Sequence, residues 1–250
     1  MAFAPFIWVE KHLKLKHPKP KNLRRHKLIF SLLISLIAFS VHAQKKKYVR
    51  VFHEYYDEKP LHFGFLFGFV SSNFNVSTNT ELPGGTYLYS PRNFGFQIGG
   101  LANYSLNPHW EVKSGVNIAL YDRQLSLDAG GTVPEVLTRE STWLEIPALI
   151  KYRSIRRKNH RVYMIGGLKF GVEANVKKKS SALSTNTADL SLEYGFGLEQ
   201  FFQFFKFTPE IRFSHGLVNM YSDPGRAGTP WYKNVNNLKT HTVSLIINFE

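Results

Sequence analysis

The stretch T-W-L-E-I-P-A-L-I-K-Y-R, residues 142–153, decides the fold of this chain. Side chains along a β-strand point alternately to two faces, so every second residue shares a side. One face of the stretch is apolar, and the other carries Glu145, Lys151 and Arg153. The apolar face comprises Leu144, Ile146, Ala148, Ile150 and Tyr152. The pattern predicts a strand whose two faces meet different environments.

Seven further runs alternate in the same way between turn residues. Each of the eight runs is about 9 to 15 residues long. A tilted strand needs roughly 9 to 11 residues to cross the hydrocarbon core of a membrane, and soluble strands are usually shorter. The other runs are residues 61–71, 93–105, 110–123, 161–173, 190–199, 205–216 and 241–249.

The connections between these runs alternate in length. The long ones are residues 72–92, 124–141, 174–188 and 217–239, and the short ones are 107–108, 154–160 and 200–204. Brief periplasmic turns and extended outer loops are typical of outer-membrane barrels. The sequence therefore predicts an all-β protein, an eight-stranded antiparallel up-and-down transmembrane β-barrel. We expect a monomeric barrel in outer-membrane lipid with both termini in the periplasm.

The N-terminal region has the features of an export signal. Residues 28–41 are uncharged and apolar and follow a basic stretch, but they are too few for a bilayer span of roughly 20 residues. Small residues before Gln44 predict cleavage between Ala43 and Gln44, with a retained membrane anchor as the alternative. The expected segments are 1–43, an N-terminal extension with a cleaved signal peptide, 44–60, a periplasmic segment, and 61–250, the barrel. A short plug, a strand extension and a disordered tether are alternatives for the middle segment.

The charge of the chain is strongly positive, with a formal net charge of +14 at pH 7. Without residues 1–43, 24 basic and 17 acidic residues remain, a net charge of +7. Part of this excess lies in lysine runs at 45–47 and 177–179, and no nucleic-acid recognition motif is present. We therefore expect no nucleic-acid partner. The chain has no cysteine, which excludes disulfides, thiolate metal sites and a lipid anchor on an N-terminal cysteine.

The polar face of the runs carries charges of both signs. The interior of an eight-stranded barrel is just wide enough for side chains to fill, so opposite charges there should pair, and arginine can hold a carboxylate through two parallel hydrogen bonds. The predicted lumen ionic network comprises Glu111, Lys113, Glu145, Lys151, Arg153, Lys169, Glu193, Glu210 and Arg212. Further inward charges are Glu173, Glu199, Arg123, Arg161 and Lys206. We expect a structural network that plugs the cylinder, with gating or proton relay as the alternative.

Enzymatic sites are weakly indicated. Ser214 and His215 are adjacent in one run, so their side chains point to opposite faces and do not form a nucleophile and base pair. The histidines that follow the predicted signal show no metal-ligand spacing. We therefore expect a non-enzymatic protein with no catalytic residues, cofactor or metal. An outer-membrane lipid hydrolase or protease assembled from several strands is the alternative.

Several stretches resemble a known family. W-L-E-I-P-A-L-I-K-Y at 143–152 resembles the signature strand of a broad class of outer-membrane barrels. Three further motifs resemble the PorT/SprT family: Y-D-E-K-P-L-H-F-G-F at 56–65, F-K-F-T-P-E-I-R-F-S-H-G-L at 205–217 and S-L-I-I-N-F-E at 244–250.

This resemblance implies an outer-membrane component of the type IX secretion system, required for protein export and, in gliding species, for motility. Its implied partners are other type IX secretion components. The family has been called a translocating porin, but a lumen crowded with paired charges favours an accessory or assembly factor over a cargo conduit. The alternative is a small general outer-membrane barrel for envelope integrity, adhesion or minor solute passage.

Overall fold

The computed structural model describes residues 50–78, 86–128, 134–174, 183–223 and 235–250. The predicted signal peptide and its cleavage site at Ala43 and Gln44 lie outside these residues. In the part that is described, no helix is long and apolar enough to cross a membrane.

The described residues form nine β-strands and one short 3-10 helix, Tyr56–Glu58, which precedes the first strand. The strands are β1 Leu61–Thr78, β2 Tyr87–Tyr89, β3 Asn93–Ser105, β4 Trp110–Asp128, β5 Glu135–Arg153, β6 His160–Glu173, β7 Ala188–Phe201, β8 Lys206–Gly216 and β9 Val235–Phe249.

Eight of these strands close into a ring of antiparallel neighbours. The order is β4-β3-β1-β9-β8-β7-β6-β5, and β5 pairs back with β4. Closure leaves none of the eight as an open edge of the ring, as a membrane-spanning sheet requires. The predicted all-β, eight-stranded up-and-down barrel is thereby confirmed.

The short strand β2 was not predicted and lies within the expected loop 72–92. It pairs with the end of β4, so that Leu88 stands opposite Leu127. Ser90 lies between β2 and β3 and connects β1 with β4: its hydroxyl accepts from the Phe74 N–H at 2.9 Å and donates to the Gln124 carbonyl at 2.5 Å. Thus β2 continues the line of β3 above the ring.

The predicted long loop 124–141 was wrong in extent, because most of it is strand. β4 and β5 pair from Trp110 opposite Tyr152 to Leu127 opposite Glu135, with one interruption at residues 115–116, and only 129–134 connects them. In the part of β4 beyond Tyr121, the outward positions are polar. The alternation of apolar and polar residues that identifies a membrane strand therefore ends there, although the strand and its backbone hydrogen bonds continue. β1 and β9 extend past their predicted limits in the same way.

The two faces of the wall alternate as the sequence predicted. On β1, Phe63, Phe65 and Phe67 are exposed on the outside while Leu66 and Val70 are buried inside. On β5 the exposed residues are Leu144, Ile146 and Ile150. A continuous apolar outer band of this kind belongs in lipid.

The two ends of the barrel differ in construction. The short-turn end carries the connections 106–109, 154–159 and 202–205, together with residues 50–60. The long-loop end carries the connections 79–92, 174–187 and 217–234 and the tip of the β4–β5 hairpin.

Candidate functional site: the sealed lumen

A side-chain bond crosses the full width of the lumen. β4 and β8 are four strands apart in either direction around the ring, so they form opposite walls. Lys113 Nζ on β4 lies 2.5 Å from Glu210 Oε1 on β8, and both side chains are buried. The same ammonium donates to Asn248 Oδ1 on β9 at 3.1 Å. At this level, side chains occupy the diameter of the barrel.

A chain of ion pairs forms the next layer toward the short-turn end. Lys151 lies between two carboxylates, 3.0 Å from Glu111 and 2.5 Å from Glu199. Arg153 holds the second oxygen of Glu111 at 2.6 Å, and Arg161 holds the second oxygen of Glu199 at 2.5 Å. Each buried charge therefore has an opposite charge beside it, as burial demands.

The central layer is centred on Glu210. Besides Lys113, its carboxylate accepts from Arg212 Nε at 2.6 Å and from the Tyr163 hydroxyl at 2.5 Å. Arg212 also lies 3.7 Å from Glu193. Five polar side chains from β4, β6, β7 and β8 thus meet in one cluster: Lys113, Tyr163, Glu193, Glu210 and Arg212.

A third polar layer surrounds Glu145. Its Oε1 accepts from the Tyr121 hydroxyl at 2.7 Å and lies 3.0 Å from Lys169 Nζ. An adjacent cavity of ≈ 10 Å³, which Asp189 also lines, has room for about one water.

The structure places all nine residues of the predicted network inside the ring, each in one of these ion pairs. Arg123, also predicted to face inward, lies over the Tyr121 ring at 4.1 Å and donates to Ser72 Oγ at 2.8 Å. Sequence reasoning missed Asp57 and Glu250, because both lie outside the alternating runs. The predicted network also did not include the hydroxyls of Tyr121 and Tyr163.

The segment before β1 closes the short-turn end. The Tyr56 hydroxyl donates to Glu250 Oε2 at 2.7 Å, and the Tyr56 ring stacks on His62 at 3.8 Å. Asp57 Oδ1 lies 3.0 Å from Arg161 and 3.8 Å from Arg153. The 3-10 helix therefore caps the ionic layer with its own side chains. We refer to residues 50–60 as the plug segment.

Electrostatics hold the contact between Tyr56 and Glu250 in its hydrogen-bonding form. Burial, reinforced by the Glu250 carboxylate, raises the pKa of Tyr56 well above its ordinary value, so the phenol keeps its proton and donates. Burial alone would raise the pKa of Glu250, but Lys206 and Lys151 outweigh it and lower that pKa to about 2. Lys206 Nζ lies 2.8 Å from Glu250.

A second attachment joins the plug segment to the β5–β6 turn. The Arg156 guanidinium donates to the carbonyls of Phe52 and His53, the latter at 2.9 Å, and lies 3.7 Å from the Phe201 ring centroid. The buried Asn159 side chain accepts from the Phe52 N–H at 2.9 Å and donates to the Arg50 carbonyl at 2.8 Å. The plug segment is thus bonded through its backbone as well as its side chains.

The interior at the long-loop end is largely apolar, unlike the charged inward face predicted for the strands, although the buried Arg123 guanidinium lies among its aromatic rings. Leu183 and Met220 come from the connections and fold into the mouth, where both are fully buried. Met220 is fixed by backbone bonds to Asn186 at 2.9 Å and Leu238 at 2.7 Å. We call this group the apolar cap: Val70, Phe74, Ala119, Tyr121, Leu125, Leu137, Trp143, Leu183, Met220, Val235 and Leu238. It forms because inward positions of the strand extensions leave the lipid zone and pack on one another like a soluble core.

The adjacent serine and histidine of β8 lie on opposite faces of the strand. Ser214 is buried inside, while His215 is on the outer wall with its Nε2 3.0 Å from the Tyr194 hydroxyl. His241 lies beside His215, with 3.0 Å between their Nδ1 atoms. Among the described residues, no group of three or more potential ligands is placed to hold a metal ion.

A closed antiparallel ring with an apolar outer band and a charge-filled interior defines an outer-membrane β-barrel. The family model described as "Outer membrane protein beta-barrel domain" matches residues 42–222, and the chain belongs to this family.

Comparison with solved structures finds other outer-membrane proteins. OprG from Pseudomonas aeruginosa is 15% identical, with coverage of 75% of this chain and 93% of OprG and a TM-score of 0.44. Ail from Yersinia pestis is 15% identical, with coverage of 76% of this chain and 98% of Ail and a TM-score of 0.33. No curated protein matches the chain significantly.

Proposed function

We propose that this outer-membrane barrel is a non-enzymatic accessory or assembly component of the type IX protein secretion system, and that it is not the conduit for the secreted cargo. Its partners in this role are other components of that system. The barrel acts as a monomer in lipid, with the short-turn end and both termini in the periplasm after cleavage between Ala43 and Gln44.

The sealed lumen is the observation that carries the proposal. Three barriers follow one another along the axis: the plug segment, the ionic layers and the apolar cap. The Lys113–Glu210 pair alone connects opposite walls of the barrel, with 2.5 Å between Lys113 Nζ and Glu210 Oε1. A barrel filled in this way offers no path to a polypeptide, so its contribution to secretion must come from its surfaces.

The assignment to type IX secretion rests on the motifs that resemble the PorT/SprT family. Residues 56–65 supply the plug contacts of Tyr56 and Asp57. Residues 205–217 supply Lys206, Glu210 and Arg212 of the lumen, and residues 244–250 end in the Glu250 that the plug segment contacts. The motifs that carry the resemblance thus supply contacts that close the lumen at its short-turn end and in its middle.

A deletion strain tests this function. We expect loss of the gene to abolish surface display of proteins that carry a type IX C-terminal signal while general outer-membrane permeability stays intact. Intact export combined with altered permeability or adhesion would contradict the proposal and favour a general small barrel.

Complementation separates the accessory role from a conduit. We expect a Lys113→Met/Glu210→Met double variant, which removes the central pair without opening the lumen, to restore export if it is folded in the membrane. A folded variant with cargo arrested inside the barrel, detected by site-specific crosslinking, would contradict the accessory role.

A further inference from the structure

An open groove lies on the outer wall at the short-turn end. Its volume is ≈ 630 Å³, and residues of the β4 start and the β5–β6 turn line it. Tyr152 and Val162, which belong to the exposed apolar wall, form one side, and Arg157, His160 and His109 contribute polar groups. The groove thus joins the lipid-facing surface to the polar turns. We call it the turn groove.

The surroundings of the turn groove have the features of a membrane–water interface. Trp110 packs against Tyr152 with 5.0 Å between ring centroids, and both are exposed on the outer wall. Tryptophan and tyrosine concentrate at the headgroup level of membranes. Ile155, on the turn itself, is 75% exposed, which suits the lipid interface better than bulk water.

The turn holds the backbone of an exposed arginine, Arg157, in place at the edge of the groove. Arg157 and His160 close a tight turn through two backbone bonds of 2.9 and 3.1 Å, with Lys158 at a positive φ of 57° between them. Arg156 is occupied by the plug segment. The exposed Arg157 side chain, in contrast, has no hydrogen-bond or ion-pair partner within the described ranges.

The histidine on the other side of the turn groove is also positioned. His109 Nδ1 bonds to the Arg153 carbonyl at 3.1 Å, and because a carbonyl can only accept, this nitrogen carries the proton. Nε2 remains for a ligand. Among the described residues that line the groove, none is acidic.

We propose that the turn groove binds the headgroup of an anionic phospholipid from the leaflet at the short-turn end. Arg157 holds the phosphate through its planar fork, which matches phosphate oxygens in two parallel hydrogen bonds. Lys158 adds positive charge beside it, and the acyl chains run along Tyr152 and Val162. The bound lipid would connect the leaflet to the β5–β6 turn, and this turn anchors the plug segment.

Native mass spectrometry of the folded, purified protein tests this site. The protein is released from mixed micelles that contain equal amounts of phosphatidylglycerol and phosphatidylcholine with identical chains. We expect bound phosphatidylglycerol to exceed phosphatidylcholine at least about fivefold, the preference that one interfacial arginine supports. Equal retention of the two lipids would overturn the proposal.

The variants Arg157→Gln and Arg92→Gln test whether the preference for phosphatidylglycerol arises at the turn groove. Both arginines are exposed, and Arg92 lies at the long-loop end, so it serves as the matched control. We expect Arg157→Gln to bring the ratio close to one and Arg92→Gln to leave it unchanged, with folding of each checked by heat-modifiable gel mobility. An undiminished ratio in folded Arg157→Gln would contradict the site.

A soluble headgroup distinguishes a lipid from free phosphate as the occupant. Glycerol 1-phosphate lacks the chains that contact Tyr152 and Val162, so at equal concentration we expect it to leave the bound phosphatidylglycerol in place. Complete displacement would show that the site takes a small phosphate ester and would overturn the lipid assignment.

Discussion

At the scale of single residues, the interior depends on charges that are balanced one by one. Glu145 is buried, and its Oε1 serves both Tyr121 and Lys169, while its Oε2 has no protein partner in the described structure. That oxygen belongs to a residue lining the cavity of ≈ 10 Å³, so one water is expected to satisfy it. A single carboxylate thus holds a hydroxyl and an ammonium, and its free oxygen faces a cavity of about one water.

Replacement of Glu145 by leucine should destabilise the barrel strongly. Lys169 would keep a buried charge without its partner, which costs about 3 to 5 kcal/mol in unfolding free energy. Urea titration of the protein folded in micelles measures the change. Glu140→Leu is the matched control, because Glu140 is exposed on the same strand and should shift stability by no more than about 0.5 kcal/mol. Equal urea midpoints for the two variants would contradict a stabilising Glu145–Lys169 pair inside the barrel.

Acid should release the plug segment by protonating Glu250. In the folded protein the pKa of Glu250 is about 2, against an ordinary value of 4.5. The ionised Glu250 therefore stabilises the attached plug segment fully above pH 4.5, and this stabilisation is lost as the pH falls through the folded-state pKa. Amide hydrogen exchange of residues 56–58 measures this release. We expect protection at pH 7 that declines between about pH 4.5 and pH 2, and a Glu250→Gln variant should lose that dependence. Unchanged protection down to pH 2 would contradict the assignment.

At the scale of elements, alternation in the sequence predicted the strands of the ring and their faces. On β5 the stretch 142–153 folds as its pattern indicates, with Leu144 outside and Lys151 inside. The strand ends were not predictable, because lipid imposes an apolar outer face only within the membrane. Beyond it, polar outward residues such as Asp122 and Gln124 are compatible with either a strand or a loop.

The apolar cap was hidden for a related reason. Leu183 and Met220 lie in connections without periodicity, so nothing in the pattern indicates that they fold back into the mouth. The plug contacts of Asp57 and Glu250 were hidden likewise. Sequence periodicity reports the environment of a strand, and these contacts depend on how irregular segments return to the barrel.

Truncation within the apolar cap should reveal its contribution to stability. Leu125 is fully buried in the mouth, and Leu125→Ala should cost about 2 to 5 kcal/mol because it leaves a cavity. Equilibrium unfolding in lipid vesicles followed by tryptophan fluorescence measures this cost. The neighbouring Gln124→Ala serves as the control, and a loss no larger than that of the control would show that the cap is not a packed core.

At the scale of the whole molecule, the barrel is a filled cylinder that is closed by three successive barriers along its axis. The plug segment is bonded to the short-turn end, three polar layers fill the middle, and the apolar cap closes the long-loop end. Such a molecule presents only its outer wall, turns and loops to partners, which is why we propose an accessory role in secretion.

Removal of residues 44–60 tests whether the ionic layers and the apolar cap close the lumen without the plug segment. We expect the truncated barrel to remain closed to ions, because the Lys113–Glu210 pair and the apolar cap do not require the plug segment. Ion flux from vesicles loaded with a potassium-sensitive dye measures this. Flux above that of the full-length protein would show that the plug segment alone closes the lumen.

Single-channel recording of the purified barrel in a planar bilayer measures directly whether the lumen is sealed. Because side chains span the lumen from β4 to β8, we expect no stable conductance. A stable conductance of large-porin size would contradict the sealed lumen and, with it, the accessory role.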